Sequence, residues 1–193
     1  DPAMHFILLR ANRDLRLIGL NLGEDISEID SWISALEKGV SKLWNYSLAS
    51  YDSFDLINKS FAGSISSASF MCWYGGVYDK RMLLHYDRIM NKVNYGVPSH
   101  DPESVKFDRK RYWRGPSWAI MNMMIGIGLA DAGEFERAEL VKSQTNLAIS
   151  QKGFAEYFDP IDGTPAGGTT FTWTAAVWLG WAKNLVGEQN GRD

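Results

Sequence analysis

The stretch RYWRGPSWAIMNMMIGIGLADAGEFERAELVKSQTNLAISQKGFAEYFDP, Arg111 to Pro160, decides the fold. It opens on an aromatic link, passes through an apolar segment and turns tightly at DAGEF. An amphipathic segment follows, and then a second aromatic link. Pro116 at a first helical position predicts a helix through Leu129 that is apolar nearly all round. After the turn, a helix starting near Glu134 has its apolar residues on one face. A helix apolar on every side is buried, and one with a single apolar stripe lies outside. The pair reads as an inner and an outer helix, antiparallel because the link between them is short.

The same alternation extends in both directions. Ala3 to Leu22 predicts a helix, with Phe6, Leu9, Arg13, Leu17 and Leu20 near a 3.6-residue period and Gly23 as its stop. Ser27 as N-cap opens a second helix reaching Trp44, striped by Ile29, Ile33, Leu36, Val40 and Leu43. NYSLASYDSFDLINKS reads as a short hairpin. Ser66 to Tyr74, Asp79 to Lys92 and Thr172 to Leu185 read as further helices. The links NLGEDIS, YGGVYDK and DAGEF are short, and those between them are long, aromatic and rich in Pro and Gly. Links of one parity lie at one end of an up-down array, so YDSFDL, YWRGPSW and GFAEYFDP are expected to share a face. The expectation is an all-α fold: an incomplete (α/α)6 toroid of about seven helices, with long aromatic loops at one end. Residues 1–193 then form a single domain.

Composition narrows the function. The 193 residues are enough for one domain with a sizeable core. With 20 basic and 23 acidic residues and no basic stripe, nucleic acid is not an expected partner. Eight Trp, eight Tyr and nine Phe suit a core, and equally a sugar cleft, where a flat ring stacks on the C–H face of a pyranose. The single Cys72 reads as buried. No segment reaches the ~18 apolar residues of a membrane span, so no membrane partner is expected. DPAMHFILLRANRDL breaks into charge too early for a signal peptide. It also opens directly into a helical pattern without Met, so the chain reads as a piece of a longer protein. Its compartment stays open, with the cytoplasm favoured. His5, His85 and His100 lack ligand spacing, and no phosphate loop or nucleophile elbow is present, so neither metal nor cofactor is expected.

The candidate chemistry lies in two links. Glu156 stands between aromatic residues in a loop expected on the shared face. It suits a general base on water, and equally a surface carboxylate paired with Lys152. In RYWRGPSW, Trp113 and Trp118 suit the walls of a sugar subsite and Arg114 a clamp on carboxylate or hydroxyls. The bland alternative is core packing of Trp118 within a helix and a salt bridge for Arg114. Asn122 sits four residues after Trp118 in an apolar helix and needs partners, from a ligand or from backbone. Asp52 and Asp55 suit polar contacts or a solvated turn, and Asp159 and Asp162 suit turns.

RYWRGPSWAIMN, GFAEYFDPIDG and GGTTFTWTAA, in that order, resemble the C-terminal half of the catalytic domain of glycoside hydrolase family 63 and its bacterial relatives. DPAMHFILLRANRDL and YGVPSHDP resemble the same group, so the likeness covers essentially the whole chain. The resemblance implies an (α/α)6 toroid and an inverting mechanism with two carboxyls roughly 6.5–9.5 Å apart. It implies hydrolysis of α-glucosyl or α-mannosyl linkages. Glu156 matches the general base, Trp113 and Trp118 match aromatic residues of the sugar pocket, and Arg114 and Gly115 belong to the same signature. Tyr157 and Trp173 are expected to shape the pocket beside them. The family's general acid, an Asp in a motif such as SGxDNSP, has no counterpart here. The chain therefore reads as the C-terminal part of a catalytic domain, inactive alone, with apolar flanks of its end helices open to self-association or to a missing segment. Two other readings remain: a non-catalytic helical module that binds sugar or another protein, and another (α/α)6 enzyme, trehalase-like or glucoamylase-like.

Overall fold

The structure, a computed structural model, describes residues 1–183. Seven α-helices occur among the described residues: α1 (Pro2–Leu22), α2 (Ser27–Val40), α3 (Met71–Tyr74), α4 (Lys80–Met90), α5 (Ala119–Asp131), α6 (Phe135–Lys152) and α7 (Thr172–Val177). Three small antiparallel hairpins occupy the long links. They pair β1 (Trp44–Asn45) with β2 (Ser50–Tyr51), β3 (Phe54–Asp55) with β4 (Ser60–Phe61), and β5 (Tyr157–Phe158) with β6 (Pro165–Ala166).

The helix ends have local causes. Asp1 caps α1 by accepting from the Met4 N–H at 3.1 Å, with Pro2 next to it. Gly23 closes α1 in the left-handed region at φ 72°. Asp79 caps α4 through the Arg81 N–H at 2.9 Å.

Several boundaries depart from the sequence reading. Ser27 is not the cap of α2: Ile26 holds that position, and Asp25 accepts the Ser27 N–H at 2.9 Å. That helix stops at Val40 and passes through a 3₁₀ turn, because Trp44 turns extended to pair with Tyr51, ring centroids 5.0 Å apart. The single hairpin expected next is two. Ser66–Tyr74 divides into a 3₁₀ turn, Ser67–Phe70, and α3. Pro116 does not open α5, because Ser117 pairs in antiparallel fashion with both Pro98 and Phe158, and the helix begins at Ala119. The last helix, α7, gives way to a wide π turn at Trp178–Ala182, and its expected end at Leu185 lies outside the described residues.

The inner helices stand side by side, α1 on α3, α3 on α5 and α5 on α7, with α2 and α6 behind α1 and α5. The outer α4 joins α3 and α6: Tyr86 meets Phe70 and Trp73 edge-on, and Asp87 pairs with Arg137 at 2.7 Å. This is the (α/α)6 arc expected, with four inner and three outer helices among the described residues. Phe6, Phe70, Trp73, Met82, Tyr86, Ile125 and Leu129 fill its core. Apolar side chains are open at both ends of the arc, Met4, Leu8, Leu15, Ile18 and Leu22 on α1 and Trp173 and Leu179 near α7. Among the described residues no helix is long and apolar enough to cross a membrane.

Close approach of α3 to α5 depends on Gly128, where a Cβ would lie 2.2 Å from the Tyr74 nitrogen. Gly128→Ala is expected to cost at least about 1–3 kcal/mol in urea unfolding, because backbone on both sides must move. Gly180→Ala, where a Cβ meets nothing within 4 Å, is expected to change stability by under about 0.5 kcal/mol.

Candidate active site

Two of the aromatic links are joined by main chain. Ser117 donates to the Phe158 carbonyl at 2.8 Å, and Phe158 donates back to Ser117 at 3.0 Å. On its other side the Ser99 N–H donates to the Pro116 carbonyl at 2.9 Å. Asn122 anchors this layer from within α5. Its Oδ1 accepts from the Val97 N–H at 3.0 Å, and its Nδ2 donates to Ser117 Oγ at 2.9 Å and Thr145 Oγ1 at 3.0 Å. The partners that a buried Asn required are therefore backbone and hydroxyls of the protein itself. The third link meets the second where the Asp101 N–H donates to the Ile65 carbonyl at 3.0 Å. In it, Asp52 is buried and accepts from Asn45 at 3.0 Å and the Gly63 N–H at 2.8 Å, whereas Asp55 shapes an exposed turn.

Over the Ser117–Phe158 pairing lies a cluster of four aromatic rings. Trp113 stacks on Trp118 with centroids 4.3 Å apart and planes 7° apart. Tyr112 stands edge-on to Trp118 at 4.8 Å and to Tyr157 at 5.3 Å. Trp118 is 3% exposed, its indole N–H donates to the Tyr112 carbonyl at 2.9 Å, and Trp113 covers one of its faces. Trp113 is 49% exposed and presents its outer surface to solvent. The two indoles thus differ: Trp118 is the support and Trp113 the open plate.

Glu156 joins this cluster, half-buried. Its Oε1 accepts from the Tyr112 hydroxyl at 2.6 Å and its Oε2 from the Gly168 N–H at 3.4 Å. No ion pair of Glu156, with Lys152 or another cation, occurs among the described residues. The hydrogen bond that the Tyr112 phenol donates to the Glu156 carboxylate raises its pKa above the ordinary range, with desolvation and the neighbouring negative charge adding to the effect. Gly167 makes the approach possible: at φ 72° it sits where a Cβ would fall 2.4 Å from Glu156 Oε2. Gly115 is packed as closely, its missing Cβ 2.1 Å from the Asp108 carbonyl oxygen while its N–H donates to Ser99 Oγ at 3.0 Å.

Arg114 is exposed, and its guanidinium has no acceptor among the described residues. With Lys106, Arg109 and Lys110 it lines an open hollow of about 730 Å³ that Glu156 does not line. Trp173 stands apart from the cluster, its ring 6.0 Å from Phe171. A latch that sequence reasoning missed holds the Glu156 loop. Arg109 Nε donates to Asp159 Oδ1 at 3.0 Å and lies 2.8 Å from Oδ2, and its other end reaches Asp162. Asp159 and Asp162 do form the turns read for them, accepting from Ile161 and Thr164 at 2.9 Å each. Their ion pairs span 50 and 53 residues, so no local pattern signals them.

Residues 1–174 match the family described as the mannosylglycerate hydrolase MGH1-like glycoside hydrolase domain. The mannosylglycerate hydrolase of Thermus thermophilus is 36% identical over 187 residues, which are 95% of this chain and 45% of that protein. The chain thus spans about half the length, or less, of the relatives it matches. The crystal structure of a GH63 mannosylglycerate hydrolase from Thermus thermophilus in complex with glucose superposes with TM-score 0.90 at 36% identity, covering 93% of this chain and 46% of that one. The same enzyme with Tris and D-glycerate gives 0.89. Neutral trehalase from Saccharomyces cerevisiae, 14% identical, shares the fold at TM-score 0.68, over 91% of this chain and 36% of its own.

The latch carries a pH dependence. Asp162 is held down to about 2, chiefly by the Thr164 hydroxyl and N–H and further by Arg109. A carboxylate depressed in the folded state contributes fully above its unfolded value near 4 and loses that contribution as pH falls toward 2. Near-UV circular dichroism of the aromatic loops is therefore expected to hold from neutral pH down to about 4 and to fall between about 4 and 2. Arg109→Ala is expected to start that fall at higher pH.

Proposed function

The chain belongs to the mannosylglycerate hydrolase MGH1-like glycoside hydrolase family, and we propose that it is the base-bearing C-terminal part of an inverting α-glycosidase catalytic domain. The observation that carries this reading is Glu156 itself. Among the described residues it is a carboxylate without a counter-cation, held by one N–H and by the phenol of Tyr112, whose ring stands edge-on to the half-exposed Trp113. A general base must keep a lone pair for water, and a salt bridge would occupy it. Glu156 meets that condition, while Asp101 and Asp159, paired with Arg88 and Arg109, do not.

In this reading Trp113 stacks under a pyranose, Trp118 holds Trp113 flat, and Tyr157 closes the side of the pocket. Gly115 keeps the RYWRGPSW turn tight enough to bring Tyr112 to Glu156. Glu156 takes a proton from water as the water oxygen attacks the anomeric carbon. An Asp from the N-terminal part of the domain protonates the departing oxygen from the other face, with the two carboxyls roughly 6.5–9.5 Å apart. The substrate is an α-glucosyl or α-mannosyl compound with an acidic aglycone. The relatives are named for mannosylglycerate, whose glycerate bears a carboxylate, and the hollow lined by Arg114, Lys106, Arg109 and Lys110 keeps a surplus of cations over its two carboxylates, Asp108 and Asp162. Trp173, on an open flank of the arc, completes the pocket only when that flank is covered.

The test uses the complete catalytic domain with mannosylglycerate. Proton NMR of early product is expected to show the β-anomer of mannose first, and first appearance of the α-anomer overturns inversion. Glu156→Gln is expected to abolish turnover and spare sugar binding; retained turnover removes Glu156 from the role of base. Trp113→Ala is expected to raise KM roughly 10-fold, the equivalent of about 1.4 kcal/mol of lost stacking.

A further inference from the structure

We infer that Tyr112 is a positioning residue that acts through Glu156, committing Oε1 and leaving Oε2 as the oxygen that accepts the proton from water. This rests on Glu156 being the general base. The hydroxyl lies 2.6 Å from Oε1, the distance of a charge-assisted O–H···O⁻ bond. Tyr112 is 47% exposed, yet both its backbone and its ring are held. Its carbonyl is held by the Trp118 indole N–H at 2.9 Å, and its ring is wedged edge-on among Trp113, Trp118 and Tyr157. The indole pair therefore has a second use besides its outer plate: it fixes the ring whose hydroxyl orients the carboxylate.

The other oxygen is treated differently. Oε2 has only the long 3.4 Å approach of the Gly168 N–H, although the Gly167 backbone packs close against the same side of the carboxylate. One oxygen is thus spent on orientation and the other is left with capacity for a water. In the step, water gives a proton to Oε2 and its oxygen bonds to the anomeric carbon. The bond to the leaving oxygen breaks as that oxygen takes the acid's proton. The phenol proton stays on Tyr112 throughout, so this residue orients without exchanging protons.

Such a residue changes rate more than affinity. In the complete catalytic domain, Tyr112→Phe keeps the ring and removes only the donor. It is expected to lower kcat about 10- to 100-fold with KM within about 3-fold, as for one hydrogen bond to a charged group. A raised KM with kcat intact would make Tyr112 a sugar contact and overturn the inference. Glu156→Gln run alongside separates the two readings. If it is dead while Tyr112→Phe turns over at full speed, the positioning role fails and the base stands. If it turns over, the base fails and the inference with it. A second readout needs no turnover: 13C-tyrosine NMR, with the Tyr112 resonance assigned by its loss in Tyr112→Phe. Its ionisation is expected at lower pH in Glu156→Gln than in the parent, and an unmoved titration shows that the contact does not form.

Discussion

Two backbone hydrogen bonds between Ser117 and Phe158 are the constraint on which the site depends. They join links separated by the whole of α5 and α6, and they commit Ser117 to an extended backbone. That commitment delays the start of α5 past Pro116 and makes Trp118 its cap residue instead of a turn of helix. Trp118 then reaches back to the Tyr112 carbonyl, and Tyr112 reaches Glu156, two residues before Phe158. One main-chain pairing thus sets the distance between the aromatic plate and the carboxylate. Asn122 secures the same layer from below, where an unpaired buried amide would be costly.

The charges divide by task. Arg88 with Asp101, Arg109 with Asp159 and Arg137 with Asp87 tie loops and outer helices together around the site. Burial pushes Asp101 up, but the Arg88 donors outweigh it and hold the carboxyl below its ordinary range. Within the aromatic cluster, neutral donors replace cations. A phenol and a backbone N–H orient a carboxylate without pairing it with a cation, which is what the proposed role of Glu156 as a base requires. The latch at Arg109 ties the Glu156 loop from outside the cluster, where its ion pairs do not involve the Glu156 carboxylate.

Much of this was legible in the sequence because periodicity is local. The alternation of apolar and amphipathic helices and of short and long links predicted the arc, and α5 and α6 follow it closely. Most of what failed is non-local. Pro116 has every mark of a first helical residue, and the pairing of Ser117 with Pro98 and Phe158, both outside this segment, overrules it. Ser27 is outdone as a cap by the neighbouring Asp25 turn, a competition between two good candidates. Glu156 was visible as a carboxylate among aromatics, but the absence of a pairing with Lys152 and the contact with Tyr112 required the fold. Asp159 and Asp162 looked complete as turn residues, which concealed their second contact with Arg109.

The open flanks explain why the site sits where it does along the arc. On α1, Met4, Leu8, Leu15, Ile18 and Leu22 follow one another at steps of four, seven, three and four residues, the spacing of a seam that packs against another helix. An inner helix needs a neighbour on each side to bury such a seam, and the helices at the ends of an arc have one. The α5 helix has both, which is why Asn122 and Ile125 are fully enclosed while Trp173, at the start of α7, is 58% exposed. Glu156 is tied to the enclosed part of the arc through Tyr112, Gly168 and the Ser117–Phe158 pairing. Its orientation is therefore set by groups within this chain, on the enclosed side of the arc and away from the exposed apolar residues of α1 and α7.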